Sequence, residues 1–356
     1  MAEQNGSQPA QEPKLEITTS RNFIGWLASQ RMGLAFSTYQ AAKLFLIGLQ
    51  PNGRLSVFER TLERIMGLAA KDDQLWLSTI YQLWRFRNVL APGEQYEGYD
   101  RVYIPRESRI TGDIDVHDIG IEDSGRVVFV NTLFNCLATI DDQYNFKPLW
   151  KPEWVDRLAP EDRCHLNGLA LRDGKARYVT AVSQSNVSDG WRDKRVGGGV
   201  VVDIESGEVL CDGLTMPHSP RWYGDKLYLL DSGTGYFGHV DFETGKFVPM
   251  TFLPGYARGM AFRGNWAVIG LSDRRRDKAF EGLPLGEELD RQGAESRCGL
   301  QIVDINSGEA PHWVRIEGVV KELYDVVTLP GSIRPMAIGF KTNEIRRMIS
   351  HPGLSD

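Results

Sequence analysis

The sequence predicts an all-β fold, a six-bladed β-propeller, and two observations carry that prediction. The first is the stretch 216–255, where short runs of alternating apolar residues are separated by Gly, Pro and Asp turns. Alternation with a period of two residues is the signal of a strand. It places strands at Pro220–Tyr223, Lys226–Asp231, Gly238–Phe242 and Phe247–Phe252. Four such strands in about forty residues are typical of one propeller blade.

The second observation is that pieces of this stretch recur along the chain. The turn pattern apolar-Asp-apolar-x-Ser/Thr-Gly occurs within Val201–Gly207, His239–Gly245 and Ile302–Gly308. Asp and Gly close a hairpin at such a turn because both tolerate a positive φ. A charged insertion, roughly Asp273–Arg297, lengthens the interval before the third copy. Insertions into repeats usually form loops on one face of the molecule.

The innermost strands of the blades also share a pattern, a large apolar residue followed by a small one. It is seen at Ile65–Ala69, Val116–Gly120, Leu166–Ala170, Ser219–Tyr223 (more loosely), Ala257–Ala261 and Ile333–Ala337. The first N-terminal repeat lacks such a strand, whereas the last copy lies at the C-terminus. We therefore expect the C-terminal strand to complete the N-terminal blade and close the ring. Seven blades are the alternative, because Leu323–Leu329 could belong to another one.

Composition limits the domain organisation and the partners. The chain has 356 residues and a formal net charge of −6, which argues against binding to nucleic acid. Four widely spaced cysteines without a CxxC pair favour a reduced, cytoplasmic protein. The polar segment 1–20 is predicted to be disordered and is neither a signal peptide nor a membrane anchor. Residues 21–350 are predicted to form a single propeller domain, in which a short helix at Arg21–Arg31 plugs one end of the ring.

Three of the six histidines fall in two adjacent layers of the predicted innermost strands, His117 in one layer and His165 and His218 in the layer two residues earlier. Propeller blades present these positions to the central axis, so the three imidazoles should lie together. They could hold one divalent transition metal ion, or they could transfer protons near neutral pH as catalytic residues. The alternative is that they are hydrogen-bonded residues that fill a polar channel. Polar clusters at the ends of the second strands, such as Asp231 and Ser232, are predicted to lie at a functional rim.

The same alignment places positive charge on the axis. Arg258 and Arg334 are expected on adjacent blades at one level, where two guanidinium groups suit a carboxylate, sulfonate or phosphate. Arg64 is a further candidate for anion binding, and Asn167 and Tyr256 are expected to orient the substrate. The alternative is that these arginines balance carboxylates within the channel.

These residues favour an enzyme that acts on a small anionic, carboxylate-bearing molecule. Lyase, isomerase or hydrolase chemistry would each fit, since each needs only an activated water or a moved proton. The chain contains no GxSxG motif and no dinucleotide-binding fingerprint, so no nucleotide cofactor is expected. The alternative function is a non-catalytic propeller that binds a ligand or a protein partner.

The segments Cys164–Leu171, Met216–Gly235 and Gly331–Phe340 resemble a bacterial family of conserved hypothetical proteins, over roughly Phe23–Ile349. That resemblance implies no established activity. More distantly, the chain is similar to six-bladed propellers of the gluconolactonase and strictosidine-synthase type, which implies an axial divalent metal held by acidic and Asn ligands. The axial positions here are instead rich in His and Arg, a departure that argues against calcium-type ligation and lactonase activity.

Overall fold

The computed structural model describes residues 14–273 and 281–351, and in them almost all regular structure is β. The first half contains β1 Glu16–Thr19, β2 Met32–Thr38, β3 Lys43–Leu49, β4 Leu55–Thr61, β5 Leu68–Lys71, β6 Gln74–Ser78, β7 Gln82–Asn88, β8 Arg101–Ile110, β9 Val116–Ile121, β10 Val127–Asn131, β11 Cys136–Thr139, β12 Lys147–Trp150, β13 Leu166–Arg172 and β14 Lys175–Ala181. The second half contains β15 Gly199–Asp203, β16 Val209–Leu214, β17 Pro217–Tyr223, β18 Lys226–Asp231, β19 Tyr236–Asp241, β20 Lys246–Phe252, β21 Tyr256–Arg263, β22 Trp266–Ser272, β23 Gly299–Asp304, β24 His312–Glu317, β25 Val326–Pro330 and β26 Pro335–Ala337. The two α-helices are α1 Phe23–Gln30 and α2 Leu285–Arg291, and short 3₁₀ turns lie at Arg192–Lys194 and Asn343–Arg346.

The strands form six sheets, which are the six blades of a propeller. Blades two to six run in chain order, β5–β8, β9–β12, β13–β16, β17–β20 and β21–β24, each from the axis outward. The strands of each of these blades pair antiparallel, and apolar side chains fill the space between neighbouring sheets. The predicted six-bladed propeller is therefore confirmed.

The repeated turn has the same geometry in each copy. The backbone N–H of Gly207 donates to the carbonyl of Asp203, that of Gly245 to Asp241, and that of Gly308 to Asp304, at 2.8–2.9 Å. Each of these Asp side chains also accepts a bond from the N–H two residues later, at 2.9 Å in all three turns. Each Gly has a positive φ, which a residue with a side chain rarely adopts.

The C-terminal segment closes the ring, although through a different strand from the one predicted. Strand β25 pairs antiparallel with β2, with Val326 opposite Phe36, and so becomes the innermost strand of blade one. The prediction that Ile333–Ala337 forms this strand is wrong. The segment Pro335–Ala337 instead pairs parallel with the outer strand β8. Because proline has no N–H to donate to a ladder, it suits the edge of a sheet better than an interior position.

The N-terminal segment contributes to the last blade. Strand β1 pairs antiparallel with β24, so the prediction of disorder up to residue 20 is wrong from Glu16 onward. Residues 1–13, which complete that predicted segment, lie outside the described residues. Helix α1 forms where a helix was predicted. Its Phe23, Trp26 and Leu27 pack in the seam between blades six and one, and not across the end of the channel.

Five buried hydroxyl groups join neighbouring blades. Each lies at or just after the end of a second strand and donates to a backbone carbonyl at the start of the next blade. The pairs are Ser37 to Met66 (2.6 Å), Ser78 to Val116 (3.2 Å), Thr132 to Leu166 (2.6 Å), Ser232 to Ala257 (2.6 Å) and Ser272 to Leu323 (2.9 Å). In blade four the residue just after the second strand is Val182, and the described residues show no such hydroxyl bond at the boundary between blades four and five. We call these five bonds the blade staples.

Candidate functional site

Six of the predicted site residues meet near the central axis. They are His117 on β9, His165 just before β13, Asn167 on β13, His218 on β17, and Tyr256 and Arg258 on β21. The rings of His117 and His165 are 4.8 Å apart, and those of His218 and Tyr256 are 5.6 Å apart. All six residues are less than 10% exposed. The structure therefore assembles one buried polar cluster, which we call the axial cluster.

Hydrogen bonds fix the tautomers of two of these imidazoles. The His117 Nδ1 lies 3.0 Å from the carbonyl of Asp115, and the His218 Nδ1 lies 2.8 Å from that of Met216. A carbonyl oxygen can only accept, so Nδ1 must carry the hydrogen in both rings. The Thr132 hydroxyl, 2.8 Å from the His117 Nδ1, agrees with this assignment because it donates its own hydrogen to the carbonyl of Leu166 and can accept from the imidazole. In each ring Nε2 is then left with a lone pair, and that of His218 faces the Asn167 amide at 3.5 Å.

His218 thus makes the same contact as His117, to the carbonyl two residues earlier in the chain. The sequence alignment had placed His218 one layer away from His117. The difference arises because Ser219–Tyr223, the most loosely matching repeat, was aligned two residues out of register. Pro217 pairs with Asp231 just as Val116 pairs with Asn131, which makes His218 the equivalent of His117.

Burial keeps His117 and His218 neutral. It lowers the pKa of His117 to about 4, against the opposing charge of Asp115. It also lowers the pKa of His218 well below its usual value, and the nearby Arg258 charge lowers it further. Both side chains are therefore uncharged imidazoles at neutral pH.

His165 has different surroundings, because a carboxylate holds it. Its Nδ1 lies 2.9 Å from Oδ2 of Asp162, which also accepts a bond of 2.8 Å from the indole N–H of Trp191. The Trp191 ring stacks on the imidazole at a centroid distance of 4.2 Å. Burial acts to raise the pKa of Asp162, but the interactions of its carboxylate with His165, including the hydrogen bond at Nδ1, outweigh burial and lower that pKa overall. Asp162 is thus an ionised acceptor that orients the His165 ring.

Arg258 stands among aromatic rings and a buried carboxylate. Its Nη1 donates to Oε1 of Glu322 at 2.9 Å, and the Glu322 side chain is only 2% exposed. The guanidinium carbon lies 5.0 Å from the ring centres of both Tyr256 and Tyr324, within the range of a cation–π contact. The Arg258 charge is therefore partly balanced inside the cluster.

Sequence reasoning missed four residues of this cluster: Asp162, Trp191, Glu322 and Tyr324. Asp162 and Trp191 lie in loops outside the repeated pattern. Glu322 and Tyr324 lie just before β25. Their position near the axis could not be recognised, because the repeat pattern predicts Ile333–Ala337 as the innermost strand. Tyr324 lies in the stretch Leu323–Leu329, which the sequence assigns only to a possible seventh blade, and Glu322 directly precedes that stretch.

The two remaining predicted arginines lie elsewhere. The expectation that Arg334 stands beside Arg258 is wrong. Its guanidinium lies 4.1 Å from the Tyr99 ring centre and contacts Ser56, near the outer edges of blades one and two. Arg64 is paired with Asp113 and lies 3.9 Å from Asp115, so it reaches only the rim of the axial cluster.

A second charged group lies further along the innermost strands than the axial cluster. Arg221 donates to both oxygens of Asp118, at 2.7 and 3.1 Å, and lies 3.7 Å from Asp325. Both carboxylates also accept backbone N–H bonds, from Leu169 and Leu68 respectively. Arg221 also lines a cavity of about 420 Å³ that the innermost strands form at the opposite face.

Within 14–273 and 281–351, no three His, Cys, Asp or Glu side chains are arranged to hold a metal ion. Over the same part of the chain, no helix is both long and apolar enough to cross a membrane.

Solved structures are similar to this chain at low identity. The crystal structure of a nidogen/laminin complex contains a chain with a TM-score of 0.53 and 13% identity, covering 84% of this chain and 99% of that one. A gluconolactonase from Xanthomonas campestris gives 0.48 and 13%, covering 81% and 86%. A catalytically inactive virginiamycin B lyase from Staphylococcus aureus with quinupristin gives 0.41 and 12%, covering 86% and 100%.

Comparison with curated proteins gave no match. The model of one protein family does match, over residues 21–338, which is most of the propeller. The resemblance to a family without an assigned activity is thereby confirmed. The chain belongs to the family described as "Domain of unknown function (DUF4915)".

Proposed function

We propose that the axial cluster is the active site of an enzyme that moves a proton on a small anionic, carboxylate-bearing substrate. The observation that carries this proposal is the state of the three imidazoles. Each bonds through Nδ1 to a protein oxygen, so that three Nε2 lone pairs share one buried cluster. A neutral imidazole with a free Nε2 lone pair is the group that most often acts as a general base in enzymes. Lyase, isomerase and hydrolase reactions all need such a base.

His165 is the proposed general base. When its Nε2 takes a proton, the ring becomes positively charged, and the Asp162 carboxylate at Nδ1 stabilises that charge. Stacking on Trp191 keeps the ring in one orientation. His117 and His218 are weaker bases, because burial lowers the pKa of each. We assign to them the role of hydrogen-bond acceptors for a hydroxyl or amine of the substrate.

Arg258 is the proposed anion-binding residue, with Asn167 and Tyr256 beside it to orient the substrate. A guanidinium carries five N–H donors, more than one carboxylate can occupy, so a substrate carboxylate can share Arg258 with Glu322. Glu322 also limits the affinity, since it adds negative charge near the bound anion. Arg334 has no part in this proposal because it lies outside the cluster, and Arg64 is already paired with Asp113 at the rim.

The opposite charges of Arg258 and Glu322 predict opposite changes in ligand affinity when each charge is removed. Calorimetric titration with a panel of small mono- and dicarboxylates should identify ligands of the wild-type protein. Arg258→Met should weaken them at least tenfold, whereas Glu322→Gln should strengthen them, because it removes the competing negative charge. Arg334→Met is the control with the same loss of charge outside the cluster, and it should bind like the wild type. Equal affinities for the Arg258 and Arg334 variants would contradict the assignment.

Catalysis is tested separately from binding. The purified protein is incubated with a small-molecule cell extract, and the compounds consumed or formed are identified by mass spectrometry. We expect one carboxylate to change with the wild type and not with His165→Asn. If carboxylates bind through Arg258 and none is converted, the alternative of a non-catalytic ligand-binding propeller is favoured. If none binds and none changes, the site proposal is wrong.

A divalent transition metal ion at the same imidazoles is a second candidate. It is favoured by the Nδ1 bonds to protein oxygens, because metal-bound histidines usually donate their other ring N–H in this way. The described residues do not form a preformed set of ligands, so we derive no reaction step through a metal. Elemental analysis of the untagged protein and of a His117/His165/His218 triple-Ala variant decides the matter. One equivalent of metal that is lost in the variant would support this candidate.

A further inference from the structure

Tyr324 brings an unsatisfied hydroxyl to the axial cluster. The residue is 5% exposed, and its hydroxyl oxygen has no hydrogen-bond partner within residues 14–273 and 281–351. Its ring packs edge-on against that of His117 at a centroid distance of 5.6 Å, and the Arg258 guanidinium carbon lies 5.0 Å from its centre. A tyrosine that is buried in a protein normally finds a partner for its O–H.

The fold gives no structural reason for this hydroxyl. The Tyr324 backbone is already fixed, because its N–H donates to the carbonyl of Ser37 at 2.9 Å. The ring alone would fill the space beside Tyr39, on which it stacks at 6.0 Å. Burial raises the pKa of Tyr324 well above its usual value, so the hydroxyl keeps its hydrogen and can act only as a neutral donor or acceptor. A neutral donor beside a guanidinium suits an oxygen that carries negative charge.

We infer that the Tyr324 hydroxyl donates a hydrogen bond to the substrate oxygen on which negative charge develops when His165 removes a proton from the carbon next to the carboxylate. This inference rests on the function proposed above and narrows its chemistry to carbanion or enolate reactions. It makes Tyr324 a catalytic residue and favours an isomerase or a lyase over a hydrolase.

The proposed reaction begins with the removal of a proton from carbon. The C–H bond breaks, its proton forms an N–H bond with Nε2 of His165, and its electron pair moves into a C=C bond of an enolate. The charge of that enolate lies on oxygen, where Tyr324 and Arg258 stabilise it. The enolate then either takes the proton back on carbon, which is isomerisation, or expels a group from the next carbon, which is elimination. In the second case the His165 proton passes to the leaving group, so no oxidant or reductant is needed.

Exchange of hydrogen for deuterium tests the inference without knowledge of the natural substrate. A panel of 2-hydroxy and 2-amino carboxylates is incubated with the protein in D₂O, and the loss of the proton on the carbon next to the carboxylate is followed by ¹H NMR. The variants are Tyr324→Phe, its neighbour control Tyr39→Phe, and His165→Asn. Oxalate, a planar dianion that resembles such an enolate, is titrated calorimetrically against each of them.

With the wild type we expect exchange in at least one compound and binding of oxalate. Tyr324→Phe should slow exchange at least 100-fold, with little change in KM, and bind oxalate at least tenfold more weakly. Tyr39→Phe should match the wild type in both respects. Loss of exchange in His165→Asn with full exchange and oxalate affinity in Tyr324→Phe would overturn the role of Tyr324 and leave the proposed function intact. No exchange and no oxalate binding by the wild type would overturn both.

Discussion

At the scale of single residues, the burial of His117 makes the free energy of unfolding depend on pH. Its pKa is lowered to about 4 in the folded protein, while an unfolded chain holds a histidine near 6.5. Between these two pH values the unfolded chain binds a proton at this position and the folded protein does not. The free energy of unfolding must therefore fall as the pH is lowered from 6.5 toward 4.

Replacing His117 should remove the part of this pH dependence that His117 causes. Between pH 7 and pH 4.5, the wild type should lose about 2 to 3 kcal/mol more of its unfolding free energy than His117→Asn does. Urea denaturation at the two pH values measures the difference. His351→Asn, on the exposed C-terminal tail, is the control and should follow the wild type. Parallel pH curves for the wild type and His117→Asn would mean that His117 is already protonated in the folded protein at pH 4.5.

At the scale of elements, the blade staples indicate that hydroxyl groups at the ends of the second strands stabilise the contacts between neighbouring blades. The polar clusters there were predicted to be a functional rim, and Ser232 lies in one of them. Its hydroxyl is fully buried and donates to the carbonyl of Ala257 at 2.6 Å, across the boundary of blades five and six. Ser183 is equally buried, but its hydroxyl has no partner in the described part of the chain.

The two serines form a matched pair for experiment. Ser232→Ala leaves a buried carbonyl without its donor and should lower the free energy of unfolding by about 1 to 3 kcal/mol. Ser183→Ala removes a hydroxyl that makes no bond and should change that free energy by less than about 0.5 kcal/mol. Chemical denaturation of both variants decides the matter. Similar losses would show that the staple at Ser232 contributes nothing beyond its packing.

At the scale of the whole molecule, closure of the ring depends on β25 and not on the segment after it. Strand β25 supplies the innermost strand of blade one, and Asp325 just before it accepts the N–H of Leu68 in blade two at 2.8 Å. Strand β26 adds three residues to an outer edge. The two strands are neighbours in the chain, yet β25 is the innermost strand of blade one, whereas β26 pairs only at the outer edge of blade two.

Two truncations test that difference. A chain that ends at Pro330 keeps β25 and should still unfold cooperatively, with a lower melting temperature because Met336 and Ile338 no longer cover Val102 and Ile104. A chain that ends at Lys321 loses the innermost strand of blade one and should fail to fold, because an open ring exposes sheet edges and apolar faces. Circular dichroism during heating distinguishes the two. Cooperative unfolding of the shorter chain would contradict this account of closure.

The fold and six of the ten residues of the axial cluster could be predicted because their signals are local or repeated. Strand periodicity and Asp-Gly turn chemistry act over a few residues, and they placed β17–β20 within two or three residues of their observed bounds. Alignment of the repeats then indicated that His117, His165, His218 and Arg258 share the axis. A repeat carries this information because equivalent positions in a ring face the same centre.

Tertiary structure alone decided the closing strand, the layer of His218 and the partners of the axial residues. Tyr324 and Glu322 enter the cluster only because β25, and not Ile333–Ala337, pairs with β2. Asp162 and Trp191 reach His165 from loops that no repeat describes. Such contacts join residues far apart in the chain, and they depend on which of several similar strands pairs most favourably. The sequence by itself determined the ring and the types of residue that face its axis, whereas long-range pairing determined which of them meet.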